Sequence, residues 1–149
     1  MLRVTKLTDY ATVILAALAS APDRVHSAAE LADLARLEPP TVAKVLKPLA
    51  QAGLVESFRG ASGGYRLARP ADEISLIAIV EAIEGPLGMT ECSGEHSNCE
   101  HESHCGVQTH WRRINDVIAE ALGDITLADM LPRAAPRKSI PLQLTAARG

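Results

Sequence analysis

The chain has 149 residues, of which 47% are hydrophobic and only 3% aromatic, and it carries a formal net charge of −3. That length suits one compact domain with an appended element, and the core it buries must be aliphatic. No apolar run approaches the roughly 20 residues that span a bilayer, and the amino end "MLRVTKLTDY" has no signal-peptide core. A cytoplasmic protein without a membrane segment is therefore expected.

The charge is uneven. Residues 1–70 carry a net +3, residues 71–131 a net −10 and residues 132–149 a net +4. A basic first half joined to an acidic second half points to nucleic acid as the partner of the first.

In chain order, Leu7, Tyr10, Ala11, Ile14, Leu15 and Leu18 have helical spacing and stop at the turn "SAPDR". "SAAELADLARL" follows, with Ser27 and Glu30 in capping-box spacing and Leu31 and Leu34 as its expected buried face. A third helix is predicted from Pro40, with Val42, Val45, Leu46 and Leu49 inward and Gly53 as its stop. Pro48 conflicts with it, so the helix either kinks there or ends a turn early. The period then changes: "LVESF" and "GYRLA" read as two strands around the tight turn "RGASG". A further helix is expected at 75–84. Another carries Trp111, Ile114, Ile118, Ala121 and Ile125 on one stripe, where packing is the favoured role for Trp111, as it is for Tyr10. "ITLADML" ends the ordered part, and the proline-rich, basic remainder reads as disordered.

Helix, turn, helix and hairpin in that order make a winged helix-turn-helix, mainly α with a small β-hairpin, whose partner is double-stranded DNA. Thr41, Lys44 and Lys47 stand off the apolar stripe of the third helix, where they can meet base edges or phosphates. Any one lysine alone would be an ordinary solvated side chain. Arg59 at the hairpin tip suits a narrow minor groove, and Gly63 and Gly64 beside it let backbone approach phosphate. Ser27 is first a helix cap, and the amides behind it are a secondary phosphate site.

The stretch "ECSGEHSNCEHESHC", residues 91–105, holds three cysteines, three histidines and four glutamates and no large hydrophobic side chain. Such a segment has no core of its own. In a reducing cytosol, clustered thiols more often bind metal than form disulfides, and three is an odd number for a disulfide framework. Cys92, Cys99 and Cys105 are separated by six and five residues. That is wider than the paired spacing of structural zinc sites and suits a group larger than one ion. A fourth position is left for another residue.

"LTDYA", "RGASGGYRLARP", "ISLIAIVEAIEGP", the three-cysteine loop and "CGVQTHWRRIN" together resemble the Rrf-two family of iron–sulfur transcription regulators across about residues 1–131. The segments "LTDYATVILAALA", "PPTVAKVLKPLAQAGLV" and "GGYRLARP" are most similar to regulators of SUF cluster-assembly operons. The resemblance implies a homodimer paired through the long helix after the loop, and an iron–sulfur cluster on Cys92, Cys99 and Cys105. It also implies cluster-dependent promoter binding that represses SUF genes. In one branch of the family the fourth ligand is a histidine three residues after the last cysteine, where this chain has Gln108. In another it is an aspartate near the amino end, a place occupied here by Asp9. Asp9, donated by the first helix of the partner subunit, is thus the favoured fourth ligand, with His104 as the alternative and His96, His101 and His110 behind it. The Asp9 analogy favours four irons (4Fe-4S) over two (2Fe-2S). As an idle residue, Asp9 would be a first-turn acid favourable to the helix dipole.

The expected organisation is a DNA-binding region at 1–70, a cluster loop and dimerisation helix at 71–131, and a tail at 132–149. A rival reading keeps the winged helix but uses zinc, or the free thiols themselves, to sense oxidants. An enzyme is not expected, because the chain has no C-x-x-C pair, phosphate loop or nucleophile triad.

Overall fold

In the computed structural model, residues 3–94, 99–100 and 104–132 are described. Helix α1 (Lys6–Ala19) places Ala11, Ile14, Leu15 and Leu18 on one face, all fully buried. Against that face lie α2 (Ala28–Ala35), α3 (Pro39–Gln51) and α4 (Leu76–Glu84). Leu31 comes from α2, Val42, Val45, Leu46 and Leu49 from α3, and Ile79 from α4; Leu54 and Ile74 fill in between. Each such aliphatic side chain contributes about 1.5–3 kcal/mol by leaving water. The core needs no tryptophan or phenylalanine.

Two expected core positions lie outside. Leu34 is 57% exposed. On so short a helix Leu31, Ala32 and Ala35 cluster on one side, and at 100° per residue Leu34 falls beyond their arc. Leu7, in the first turn of α1, projects past the layer beneath it and is also exposed.

Helix α3 begins at Pro39, one residue earlier than expected, with Glu38 as its N-cap. It runs through Pro48 to Gln51. Pro48 takes from the helix the bond that an N–H there would give the Lys44 carbonyl, and the fully buried Val45, Leu46 and Leu49 around it hold the helix across that gap. Leu54 N–H donates to the Leu49 carbonyl at 3.0 Å, and Gly53 between them has φ +71°. That left-handed stop is the one glycine fits.

The hairpin pairs β1 (Val55–Phe58) with β2 (Gly64–Leu67) antiparallel, Val55 opposite Leu67 and Phe58 opposite Gly64. A 3₁₀ turn (Ala71–Glu73) leads to α4, whose N-cap Ser75 accepts from the Ala78 amide. Helix α5 (Gln108–Asp124) follows the cysteine loop, and α6 (Leu127–Met130) closes the described chain. Leu76 N–H donates to the Ile125 carbonyl and Leu127 N–H to the Ile74 carbonyl, both at 2.7 Å. Those two bonds strap the end of α5 to the start of α4.

Helix α5 differs from the stripe expected of it. Trp111 is 38% exposed, Ile114 and Val117 more so, and Asn115 is its only buried residue. Ile125 lies past the helix end as its C-cap and is itself exposed. Of that stripe, Ile118 is half-buried in a cleft against α1 and α4, while Trp111, Ile114, Ala121 and Ile125 are exposed among the described residues. The expected tail at 132–149 lies outside the described residues except for Pro132.

Candidate nucleic-acid interface and thiol loop

The head begins with the capping box. Ser27 Oγ accepts from the Glu30 amide at 3.1 Å, and a Glu30 carboxylate oxygen accepts from the Ser27 amide at 2.8 Å. Arg24 pairs with the same carboxylate. The Ser27 amide, then Arg24, holds the Glu30 carboxyl below its usual range. Both polar groups of Ser27 are therefore committed to the helix end.

On α3, Lys44 points away from the buried Val45–Leu46–Leu49 face, with exposed Lys47 and half-buried Thr41 beside it. These three share the outer side of the second helix of the motif, the side a major groove would meet. Arg59 is exposed at the hairpin tip.

The glycines have a structural explanation. A Cβ on Gly63 would stand 2.4 Å from the Phe58 carbonyl oxygen, inside the turn. One on Gly64 would stand 2.2 Å from the His26 carbonyl oxygen. Gly64 is close because His26 and Tyr65 exchange two backbone bonds, 2.9 and 2.7 Å, which fasten the wing to the start of α2. His26 is 2% exposed and its Nδ1 has no partner among the described residues. On the outer surface of the wing, Arg66 lies 5.1 Å above the Phe58 ring and pairs with Glu56 at 2.9 Å.

Asp9 lines a cleft of about 480 Å³ together with Thr12, Glu84, Met89, Ile118 and Leu122. The cleft lies between the amino end of α1, the end of α4 and the middle of α5. Glu84 has a defined task there. Its carboxylate accepts from the Thr5 amide at 2.9 Å, from the Thr5 hydroxyl at 2.6 Å and from the Thr8 hydroxyl. Thr5, the N-cap of α1, offers no side-chain cap of its own, so the last residue of α4 closes that helix instead. Those hydroxyls hold the Glu84 carboxyl below its usual range. Sequence reasoning missed this residue, although an acid in the last turn of a helix opposes the local dipole and hints at service elsewhere.

Beyond Glu84 the chain enters the thiol loop. Met89 N–H donates to Asn115 Oδ1 at 3.2 Å, and Arg112 Nε to the Cys92 carbonyl at 3.3 Å. Buried Asn115 thus explains its place on an otherwise apolar stripe. Cys92 is buried, its Sγ 3.2 Å from the Thr90 hydroxyl, while Cys99 and Cys105 are half-buried; none of the three is in a disulfide among the described residues. His104 and His110 are exposed, and Gln108 opens α5. His96 and His101 lie outside the described residues. Three cysteine thiols on one loop are the donor chemistry that soft metals and iron–sulfur clusters take. Among the described residues, no three His, Cys, Asp or Glu side chains stand close enough together to hold a metal ion. No described helix is long and apolar enough to cross a membrane.

Three helices, a strand-paired wing and an appended amphipathic helix define a winged helix-turn-helix regulator. Residues 4–133 match the Rrf2 (Rrf-two) family, described as iron-dependent transcriptional regulator, and the chain belongs to it. The protein aau3 of Rhizobium meliloti is 34% identical over 145 residues, covering 96% of this chain and 93% of that one. Among solved structures, CymR, the global cysteine regulator of B. subtilis, superposes with a TM-score of 0.67 at 30% identity, covering 87% of this chain and 96% of that one. IscR of T. potens gives 0.64, also at 30% identity, over 87% and 85%. The family is one of transcription regulators, not enzymes, and membership implies binding to DNA.

Proposed function

We propose that this chain is a homodimeric DNA-binding repressor whose promoter affinity follows the state of an iron–sulfur cluster on its thiol loop, and that it acts on SUF cluster-assembly genes. One observation carries the reading: the first arm of the loop is tied to both other parts. Asn115 and Arg112 tie it to α5. Glu84, just before it, ties it to the first turn of α1 in the head. A change of loop shape therefore bears on the head and on the helix that offers Val107, Trp111, Ile114 and Val117 to a second copy.

Cys92, Cys99 and Cys105 would hold the cluster, with Asp9 of the second copy as the fourth donor and four irons favoured. When bound, the cluster supplies iron with one weakly held, displaceable position, as a hard carboxylate on iron provides. Arg112 keeps the Cys92 backbone against α5, and Thr90 donates to, or accepts from, its sulfur. Thr41, Lys44 and Lys47 would meet the major groove, Arg59 the minor groove, with Ser27, Gly63 and Gly64 shaping the backbone beside phosphate. A coupling of about 3 kcal/mol between the two states would change operator affinity some 150-fold.

Anaerobic purification tests this directly. A brown protein with visible absorbance, iron and acid-labile sulfide is expected, and the colour should vanish on Cys→Ser substitution at 92, 99 or 105. Mössbauer spectra of wild type beside Asp9→Ala give the iron count and the fourth ligand. A colourless protein containing zinc, or no metal, would overturn the reading.

The second reading, direct oxidant sensing by thiols, is favoured by the partial exposure of the Cys99 and Cys105 thiols and by the likeness to a cysteine regulator. It predicts that peroxide alters DNA affinity of metal-free protein.

A further inference from the structure

The turn between α2 and α3 holds the only non-glycine residue with positive φ among the described residues, Arg36 at φ +53°, ψ +45°. The position is a helix stop. Arg36 N–H donates to the Ala32 and Asp33 carbonyls, and Leu37 N–H reaches back to the Ala32 carbonyl at 3.0 Å. Glycine is the residue that fits such a stop without steric cost. This chain uses glycine at the equivalent stop after α3, where Gly53 has φ +71°. Keeping a long cation at the first stop needs a reason that helix termination does not supply.

The neighbouring helix end suggests one. Helix amino ends ordinarily present free N–H groups to phosphate. Here Pro39 and Pro40 fill the first two positions of α3 and have no N–H. The next two amides, of Thr41 and Val42, both donate to the Glu38 carbonyl, at 2.9 and 3.2 Å. Across residues 39–42 the amino end of α3 therefore has no backbone donor left for DNA, and the N-cap Glu38 adds a negative charge there. Arg36 stands exposed two residues before that cap, and it makes no side-chain ion pair or hydrogen bond among the described residues.

We infer that Arg36 is a phosphate anchor, a DNA-contacting residue that takes over the contact the amino end of α3 cannot make. The inference rests on the DNA-binding reading of the head and adds a residue to it. Local charge alone offers another account, since Asp33 and Glu38 flank the arginine; the experiment separates the two.

Full-length wild type, Arg36→Gly, Arg36→Asn and Arg36→Lys are compared by thermal melting and by titration of a mixed-sequence DNA duplex across a range of salt. Glycine and asparagine accept the left-handed backbone, so both variants fold, and Arg36→Gly melts higher than wild type. Both lose duplex affinity by about tenfold per arginine near 0.1 M salt, and the slope of log affinity against log salt becomes shallower by about 1 per subunit. Arg36→Lys keeps the slope. If Arg36→Gly melts higher but binds with an unchanged slope, the anchor is overturned and the DNA-binding head stands. If wild type itself does not bind duplex in a salt-dependent way, both fall.

Discussion

The head and the thiol segment were built by opposite rules. From α1 to α4 almost every inward side chain is aliphatic and fully buried, Ser27 and Ser75 cap α2 and α4, and the wing is bolted to the start of α2 by paired amides. From Gly85 to α5 the buried residues among those described are Cys92, Ser93 and Asn115, while Trp111, Ile114 and Val117 are exposed. The first region closes on itself. The second carries exposed apolar side chains and three thiols outside the aliphatic core.

Substitutions should separate the two regions. The largest effect is expected in the head: Leu15→Ala, at a fully buried site, should cost about 2–5 kcal/mol, read as a lower denaturant midpoint. Gly64→Ala comes next. It forces a Cβ to within 2.2 Å of the His26 carbonyl at a backbone φ of +154°, so a loss of about 2 kcal/mol and weaker duplex binding are expected. In the second region Trp111→Ala should leave the melting of the head nearly unchanged and weaken self-association by about tenfold in sedimentation. Equal damage to both would mean that α5 belongs to the head's core.

The smallest effect concerns acid. The Thr5 and Thr8 hydroxyls lower the Glu84 carboxyl in the folded chain. A depressed carboxylate gives stability that is present above its unfolded value of about 4.3 and is lost as pH falls through the folded one. Glu84→Gln should therefore flatten the acid limb of the melting curve below about pH 5 and change little at neutral pH. An unchanged acid limb would mean that this carboxylate does not stabilise the joint.

What could be read from the residues was local. The α1 stripe from Ala11 to Leu18, the Ser27–Glu30 box, the Gly53 stop and the two short strands each depend on neighbours within about one or two turns, and these are where their spacing puts them, while Leu7 at the head of the stripe is exposed. Leu34 was misjudged because a pair of leucines does not reveal which side of a short helix two alanines will claim. Glu84 was invisible for a different reason: its partners stand 79 and 76 residues away. The pairing of His26 with Tyr65 likewise needs the wing already folded. The thiols were legible as chemistry from their spacing, but a spacing does not say where three sulfur atoms come to rest. Trp111 shows the remaining limit, since an apolar stripe announces a partner without saying whether that partner is the same chain.

The strap between residues 74–76 and 125–127 has a mechanical meaning. It joins the far end of α5 to the base of α4, so the head rides on that helix as a blade on a handle. The two bonds sit at the base of α4, so a force on the far end of α5 reaches the head through backbone rather than through side chains alone.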